Sequence, residues 1–442
     1  MRATKALTLA MLAGLGCAGC NPSSFNSILD KAPVVVFTPP GSSTGSVFVL
    51  PLPPSTDVGT TSAARMLVSR RDTPYLALAD FDQNGKVTLS EVESGLYGNT
   101  FVSSAALAAD GRTILLGTPR ANVVANTPSG GVSTMTFASN GAGGYTFNVT
   151  AGASGGGLQS HLGISVAAGN VIPTGTFVVV TDNSVLVLAA DGLTQVLSAA
   201  CTVLGQLATA GDPYAFRPVA VGDVMTGGLD EIVLAGQGKV AILQWNPTKN
   251  TLDCMPTTLV PGAVVASVAI ADFDGDGSKD LALGVPPDKV YVFLGPLDPA
   301  ATTVAPSVII TNTTATGFGR MVAAYGLPAQ ASTQLLVADP QGTAGGRSGA
   351  GRALLFNVTR AVTAPTDAYA SAIFFDSNSD ADTGVFGSNL GGLMFNTGLC
   401  LPGGAVELVP WATTNLDVLT FFNYAPILPP APVDPRCFAL KP

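Results

Sequence analysis

Residues 266–295 read ASVAIADFDGDGSKDLALGVPPDKVYVFLG and show most clearly the pattern from which the fold can be predicted. An alternating apolar stretch runs into an aspartate-rich turn, and two further short apolar stretches, DLALG and KVYVF, follow. Alternation with a period of two, broken by Asp, Gly and Pro, is typical of β-strands joined by tight turns. The stretch therefore predicts three consecutive strands of one antiparallel sheet.

The same pattern recurs through the chain. Further copies occupy residues 101–123, 161–188, 216–243 and 317–356. Four short strands in every 50–60 residues, with no helical periodicity, are the expected content of one blade of a β-propeller. The equivalent first-strand residues are Ala105, Val166, Val219, Val268 and Val322, at spacings of 61, 53, 49 and 54 residues.

The composition excludes several classes of protein. The chain has 442 residues, of which 47% are hydrophobic and 11% are charged, and its net charge is −9. An acidic chain with so few charges lacks the basic surface of a nucleic-acid binder and the charge pattern of a coiled coil. Its single histidine, His161, leaves no basis for a histidine metal cage and little scope for a histidine-centred catalytic triad.

These motifs resemble the FG-GAP (VCBS-type) repeat, which integrin α-subunit propellers share with many bacterial surface proteins. Phe-Gly pairs stand at 318–319 and 386–387, and Leu162-Gly163 is a relaxed form of the pair. The resemblance covers roughly residues 33–440 and implies an all-β fold, a closed propeller of four-stranded blades. It also implies a calcium loop in the turn between the first two strands of a blade.

Closure of the ring requires the two ends of the chain to share a blade, since an open ring would leave exposed sheet edges. Residues 33–52 resemble the second and third strands of a blade, and residues 405–426 resemble a first and a second strand. We expect seven blades. The count is six if 386–424 supplies no blade start distinct from the N-terminal part.

The aspartate-rich turn DFDGDGSKD, 272–280, predicts a calcium site. A curled loop directs alternating carboxylates inward, Gly277 permits the sharp turn, and Ca²⁺ takes six to eight oxygen ligands. Without a cation, four clustered carboxylates would repel one another. The alternative is a solvated acidic turn. The predicted ligands are Asp272, Asp274, Asp276, Ser278 and Asp280.

A second loop, DFDQNGKVTLSE at 80–91, matches the EF-hand pattern. Because it lies too close to the next blade start to begin a blade, we interpret 55–99 as an EF-hand-like insertion with helical flanks. The alternative is an outer-strand loop of the same blade. The predicted calcium ligands are Asp80, Asp82, Asn84, Lys86 through its carbonyl, and Glu91.

Other candidate sites carry weaker patterns. The acidic stretch 376–382 lacks a glycine at the turn, and the loop 222–230 has Met225 and Gly227 where ligands belong. We expect His161, Trp245 and Trp411 to have structural roles, with sugar stacking as the alternative for the tryptophans.

The N-terminus has the pattern of a secretory signal. Arg2 and Lys5 precede an apolar run that is too short to span a bilayer, and small residues precede Cys20. This resembles a bacterial lipobox and predicts a signal peptide at 1–19, lipidation of Cys20 and a tether at 20–32. Cys17 is the alternative lipidation site, and an ordinary cleaved signal is the alternative to lipidation. By the same resemblance, Asn21 favours the outer membrane.

Four cysteines remain in the mature chain, and an even number in an exported protein predicts disulfides. We predict the pairs Cys201–Cys254 and Cys400–Cys437, although four cysteines permit three connectivities.

The sequence contains no nucleophile–base pair and no cofactor motif. We therefore expect a non-enzymatic, calcium-stabilised, lipid-anchored binding or adhesion propeller of the cell envelope. Its partner would be an envelope or extracellular protein or a polysaccharide, with membrane contact through the anchor alone. The alternative is a carbohydrate-active hydrolase or lyase with its site at the propeller axis; fold-level resemblance alone does not establish either function.

Overall fold

The computed structural model describes residues between 33 and 422, with gaps. It leaves out 1–32, 53–61, 93–101, 120–128, 155–160, 200–217, 359–371, 375–389, 392–398, 423–442 and several shorter loops. The predicted signal peptide, lipidation site and tether therefore lie outside the described residues. No helix long and apolar enough to cross a membrane occurs in the part that is described.

Six sheets each contain four strands that follow one another along the chain, which is the organisation of propeller blades. All pairings within them are antiparallel. Blade 1 contains β2 (Val47–Leu52), β3 (Ser62–Arg70), β4 (Leu76–Asp82) and β5 (Val87–Glu91). Blade 2 contains β6 (Ser104–Leu107), β7 (Ile114–Thr118), β8 (Gly131–Ser139) and β9 (Tyr145–Ser154). Blade 3 contains β10 (Ser165–Gly169), β11 (Thr176–Val180), β12 (Val185–Ala189) and β13 (Gln195–Ala199).

The next three blades complete this series. Blade 4 contains β14 (Val219–Gly222), β15 (Glu231–Ala235), β16 (Val240–Asn246) and β17 (Thr251–Met255). Blade 5 contains β18 (Ser267–Ala271), β19 (Asp280–Val285), β20 (Lys289–Phe293) and β21 (Val308–Thr311). Blade 6 contains β22 (Val322–Tyr325), β23 (Gln334–Asp339), β24 (Arg352–Phe356) and β25 (Ala372–Phe374).

The first strand of each blade lies against the first strand of the next, from β2 through β6, β10, β14 and β18 to β22. The first strands therefore line the propeller axis, and the later strands of each blade lie progressively farther out. All five predicted first-strand residues, from Ala105 to Val322, lie on these inner strands. The predicted all-β propeller of four-stranded blades is confirmed.

The two ends of the chain meet in one further sheet. It contains β1 (Pro33–Phe37), β26 (Leu390–Gly391), β29 (Trp411–Thr414) and β30 (Val418–Phe422), in the order β1-β30-β29-β26. Strand β26 contacts both β2 and β22, so this composite sheet lies between the first and sixth blades. A short hairpin, β27 (Leu399–Cys400) with β28 (Val406–Glu407), accompanies it.

The structure thus shows six blades built from consecutive strands, and the prediction of seven is wrong in that respect. The C-terminal region contributes no complete blade of its own, because β26 has only two residues and the fourth strand comes from the N-terminus. The assignment of 33–52 to the middle of one blade is also corrected. Strand β1 is the outer strand of the composite sheet, and β2 is the inner strand of blade 1.

The predicted EF-hand-like insertion at 55–99 is replaced by strands. Strands β3, β4 and β5 occupy most of 62–91 and complete blade 1. Leu76, Ala77, Leu78 and Ala79 of β4 are all buried. A short continuous apolar run that is buried on both faces fits a strand covered by neighbouring blades rather than a helix flanking a calcium loop. The alternative interpretation, a loop of the same blade, is the one that the strand order supports.

The core lies between adjacent blades. Second strands such as β7, β15, β19 and β23 are buried along their whole length, as expected for short continuous apolar runs. In one cluster, Val178 and Val187 of blade 3 pack with Ile232 and Leu234 of blade 4. Burial between blades, rather than within one sheet, therefore supplies most of the hydrophobic stabilisation.

Candidate metal centre

The aspartate-rich loop joins β18 to β19 in blade 5. Ala271 and Asp280 are the paired residues that close the loop at the end of the two strands. Gly275 and Gly277 have φ angles of +82° and +91°, which residues with a Cβ rarely adopt. The two glycines therefore let the eight residues 272–279 curl back between the ends of β18 and β19.

Three carboxylates converge in this loop. One oxygen from each of Asp272, Asp274 and Asp276 lies within 4.8 Å of the others. Their geometry is held by backbone N–H donors: Gly275 N and Gly277 N donate to the two oxygens of Asp272 at 2.7 and 2.9 Å. Asp276 N donates to Asp274 Oδ1 at 3.2 Å, and Ser278 N donates to Asp276 Oδ1 at 2.8 Å.

Asp280 has a different role from these three residues. It is fully buried, and its Oδ2 accepts hydrogen bonds from Phe273 N at 2.8 Å and Asp274 N at 3.3 Å. Its Oδ1 accepts a hydrogen bond from Gly295 N, in the loop after β20, at 2.8 Å. Burial raises the pKa of Asp280 to about 6, against the opposing effect of these donors. Asp280 thus fixes the backbone of the loop through these three hydrogen bonds, and it does not belong to the group of three clustered carboxylates.

The donor set fits a hard divalent cation. Carboxylate oxygens are the ligands that Ca²⁺ and Mg²⁺ prefer, and Ca²⁺ tolerates the irregular geometry of a short loop. The three carboxylates are partly or fully exposed to solvent, so a cation can reach them. A bound cation would remove the mutual repulsion of three charges held within a few ångströms. Asp272, Asp274 and Asp276 are the side chains that would hold it.

The equivalent loop of blade 4 is also held by a buried carboxylate that accepts backbone hydrogen bonds, but it has no cluster of three aspartates. Glu231, at the start of β15, accepts hydrogen bonds from Val224 N at 2.9 Å and Met225 N at 3.1 Å through Oε2. Its Oε1 accepts a hydrogen bond from Gln244 Nε2 at 3.2 Å. Met225 stands where blade 5 has Asp274, and it packs in an apolar cluster with Leu297 of blade 5. Met225 therefore stabilises the blade 4 turn by apolar packing, whereas the equivalent turn of blade 5 contains the three clustered carboxylates.

Comparison with known proteins bears on this pair of blades. Residues 223–283 match the family model described as FG-GAP-like repeat. The chain is a β-propeller that carries an FG-GAP-like repeat. The matched FG-GAP segment begins in the blade 4 turn and ends within β19, so it includes the aspartate-rich loop.

Two other comparisons add little to this FG-GAP assignment. No curated protein matches the chain in sequence. A solved structure, that of Sqt1 from Saccharomyces cerevisiae, is 11% identical, with 83% of this chain and 82% of that chain covered and a TM-score of 0.49. The sheet order, rather than this likeness, establishes the propeller fold.

The Phe-Gly pairs noted in the sequence have a clear structural role where they are described. Phe318 is fully buried and packs edge-on against Phe356, with ring centroids 6.2 Å apart. Gly319 has a φ of +83° and lies against the end of β19 in the preceding blade. Leu162 and Gly163 occupy the same place between blades 2 and 3, where Ser104 Oγ donates to Gly163 O at 3.2 Å. The pair therefore joins consecutive blades of the propeller. The Phe386-Gly387 pair lies outside the described residues.

The second predicted calcium loop does not form an EF-hand site. In the register of β4 and β5, Asp80 is opposite Thr88 and Glu91 is opposite Ala77. Because Asp80 and Ala77 are three residues apart on one strand, Asp80 and Glu91 lie on opposite faces of the sheet. They cannot bind one cation together. Asn84, Lys86 and the side chain of Asp82 lie outside the described residues.

Asp80 instead contributes to a contact between blades 1 and 2 that the sequence did not predict. Tyr145 Oη donates to Asp80 Oδ2 at 2.9 Å. Arg65, which is opposite Asp80 in the register of β3 and β4, lies over the rings of Phe137 and Tyr145 at 5.2 and 5.8 Å. Burial and the nearby Asp80 carboxylate raise the pKa of Tyr145. No local motif could reveal this cluster, because its members are up to 80 residues apart in the sequence.

The remaining candidates have structural positions where they are described. His161 is buried with a φ of 42°, just before the Leu162-Gly163 pair, and its carbonyl accepts a hydrogen bond from Ile164 N at 3.1 Å. Trp245 packs against the core between blades 3 and 4. Trp411 is described only as part of β29, and the acidic stretch at 376–382 lies outside the described residues.

Cys254 on β17 is disulfide-bonded, and its pairing with Cys201 stays a prediction because residue 201 is not described.

Proposed function

We propose that this protein is a calcium-stabilised, lipid-anchored propeller of the cell envelope that acts as a binding or adhesion module. A β-propeller with an FG-GAP-like repeat is typical of a protein-interaction module. The observation that carries the calcium part of the proposal is the convergence of Asp272, Asp274 and Asp276 within 4.8 Å. The partner is an envelope or extracellular protein or a polysaccharide.

The residues along the axis support binding over catalysis. The described inner strands, from β2 to β22, carry no Asp, Glu, Lys, Arg or His. General acid–base chemistry needs such groups within hydrogen-bond reach of the substrate. A hydrolase or lyase site at the axis would therefore need all of its acids and bases from the loops. This favours the binding module over the carbohydrate-active alternative.

The calcium loop stabilises the surface that would contact a partner. The turn between β18 and β19 lies at the same end of its blade as the connection between β20 and β21, because consecutive strands of the blade are antiparallel. Asp280 joins the two connections through its contacts with Phe273 N and Gly295 N. A cation in the loop would therefore order one end of blade 5 without taking part in chemistry.

One experiment tests the binding function directly. The full chain is immobilised and exposed to purified envelope proteins and to matrix polysaccharides, in calcium and then in chelator, and product release from the same polysaccharides is followed. Saturable, calcium-sensitive binding without turnover is the expected result. Turnover of a polysaccharide that stops on mutation of a loop carboxylate would overturn the binding proposal in favour of the enzyme.

The lipid anchor has its own test. Membrane and soluble fractions are compared for the parent chain and for Cys20→Ser, with Cys17→Ser as the matched control. We expect Cys20→Ser alone to release the protein from membranes, because two or more acyl chains are needed for stable anchoring. Release by Cys17→Ser alone would move the anchor to Cys17, and retention of both variants would exclude thioether lipidation.

A further inference from the structure

Strand β9 is the longest outer strand of the propeller and has an unusual free edge. It runs over ten residues, Tyr145–Ser154, whereas the outer strands β5, β13, β17, β21 and β25 have three to five. Within the described part of the chain, β9 pairs on one side only, with β8. At about 3.3 Å per residue it presents an edge of about 33 Å.

Over residues 145–151 this edge lacks the features that normally prevent edge-to-edge pairing, and the one register irregularity with β8 lies beyond them, at residues 152–153. Natural edge strands are usually short or carry charges or proline. Neither β8 nor β9 contains a charged residue or a proline. The uncharged stretch extends from residue 121 to residue 181 in a chain whose net charge is −9. Two copies of such an acidic chain repel one another over most surfaces, and this blade is where that repulsion is weakest.

The two faces of β9 differ in polarity. Thr146, Asn148 and Thr150 are exposed on one face, and the half-buried Phe147 and Val149 pack against the core on the other. A strand pairing with this edge must show the same alternation, with uncharged polar side chains on one face and apolar ones on the other.

We propose that β9 is a self-association edge, at which two copies of this chain pair their β9 strands antiparallel about a twofold axis. A pairing centred on Val149 matches residues 147–151 of each copy, which lie before the irregularity in the register of β9. It keeps each polar residue opposite a residue of the same face, so that Asn148 lies opposite Thr150 of the second copy. Full overlap of the ten residues would instead set polar positions against apolar ones. The pairing occupies the free edge of β9 in both copies, so that no β9 edge is left for a third copy and the product is a closed dimer.

The test uses charge placed at the centre of the proposed pairing. The full chain is measured by light scattering coupled to size exclusion over a concentration series. We expect the parent to approach twice its chain mass of 44.4 kDa. The variants Asn148→Lys/Thr150→Lys and Asn148→Asp/Thr150→Asp should each dissociate, with Kd at least about tenfold higher, because like charges then meet across the twofold axis. An equimolar mixture of the two should recover the dimer.

A control variant separates the edge from the hairpin face. Thr136→Lys/Ala138→Lys adds the same charge to exposed positions of β8, the neighbouring strand, and should remain dimeric. Circular dichroism confirms that each variant is folded, and the recovery by mixing reports pairing even if one variant is less stable. A parent that stays monomeric, a lysine edge variant that stays dimeric, or indefinite aggregates in place of a dimer would each overturn the proposal. Calcium binding does not enter this test, so its result is independent of the proposed function.

Discussion

The carbonyl oxygen of Gly319 in blade 6 lies directly against Gly284 at the end of β19 in blade 5. A Cβ added to Gly284 would be 2.2 Å from that oxygen and 2.3 Å from Ser267 Oγ. The same arrangement joins blades 2 and 3, where a Cβ on Gly117 would be 2.2 Å from the oxygen of Gly163. Consecutive blades thus approach backbone to backbone at a point where only glycine fits.

Substitution of this glycine should destabilise the propeller. We expect Gly284→Ala to lower the free energy of unfolding by roughly 1–3 kcal/mol, because the backbone of the next blade must move to admit the methyl group. Chemical denaturation monitored by circular dichroism measures the change. Gly227→Ala is the matched control, since its added Cβ would meet only Gln244 Nε2, at 3.7 Å. Equal stability of the two variants would show that the close approach is unimportant.

Calcium should stabilise the protein through the three loop carboxylates. At a thousandfold excess of ion over Kd, binding to the native state alone adds about 4 kcal/mol. In Asp274→Asn/Asp276→Asn the amide oxygens can still accept the backbone hydrogen bonds, so the loop is retained while the charge is removed. We expect this variant to lose the calcium-dependent rise in Tm and to equal or exceed the stability of the parent in chelator.

The control for this experiment is Asp298→Asn, at an exposed aspartate outside the cluster whose Oδ1 accepts a hydrogen bond from Ala300 N. It should keep the full calcium response, measured by thermal melts and by calorimetric titration. A parent whose Tm is the same in calcium and in chelator would contradict a structural ion at this loop.

The buried Glu231 should make stability depend on pH. Burial raises the pKa of Glu231 above its ordinary value of 4.5, against the backbone donors Met225 N and Val224 N. The folded state therefore binds a proton more tightly than the unfolded state, and this contribution to stability is complete below about pH 4.5. It is lost as the pH rises through the elevated pKa of the folded state.

The variant Glu231→Gln removes this titration and can keep the hydrogen bonds of Glu231. The amide oxygen of the glutamine can accept from Val224 N and Met225 N, and Gln244 can turn its own amide oxygen toward the new NH₂ group. Denaturant midpoints from pH 4 to pH 8 should fall less steeply in Glu231→Gln than in the parent. The exposed Glu91→Gln should follow the parent. An unchanged slope in Glu231→Gln would assign the pH dependence to other groups.

The disulfide of Cys254 should join blades 3 and 4. Strand β13, which ends two residues before Cys201, contacts β17, where Cys254 lies. In the chain-entropy description, a bridge between these two cysteines stabilises by about 4 kcal/mol. Cys201→Ser, Cys254→Ser and the double variant should then lose the same amount, whereas independent thiols would give additive losses. Peptide mapping without reductant identifies the pair, and a Cys254 peptide joined to another cysteine would refute this connectivity.

The local pattern of the sequence was sufficient for the blades and for the clustered aspartates. Strands alternate with a period of two, and turns need Gly and Asp, so the copies at 216–243 and 266–295 can be read without knowledge of their neighbours. The aspartates 272, 274 and 276 are separated by single residues in the chain, and their convergence needs only one curled loop.

The role of Asp280 could not be predicted in this way. Its sequence position equals that of a ligand, but its carboxylate accepts a hydrogen bond from Gly295 N, fifteen residues further on. Likewise, residues 80–91 match the EF-hand spacing residue by residue. The pairing of β4 with β5 nevertheless places Asp80 and Glu91 on opposite faces. A spacing motif specifies distance along the chain, whereas the direction of a side chain depends on the secondary structure that the segment adopts.

The repeating unit, the residue types of the turns and the cluster of three carboxylates were therefore predictable, because each depends on residues close together in the chain. The number of consecutive blades, the composite sheet of β1 with β26, β29 and β30, and the contact of Arg65 with Tyr145 and Phe137 became evident only from the folded ring. These features depend on contacts between distant segments, whose free energy is gained only when the whole ring is assembled.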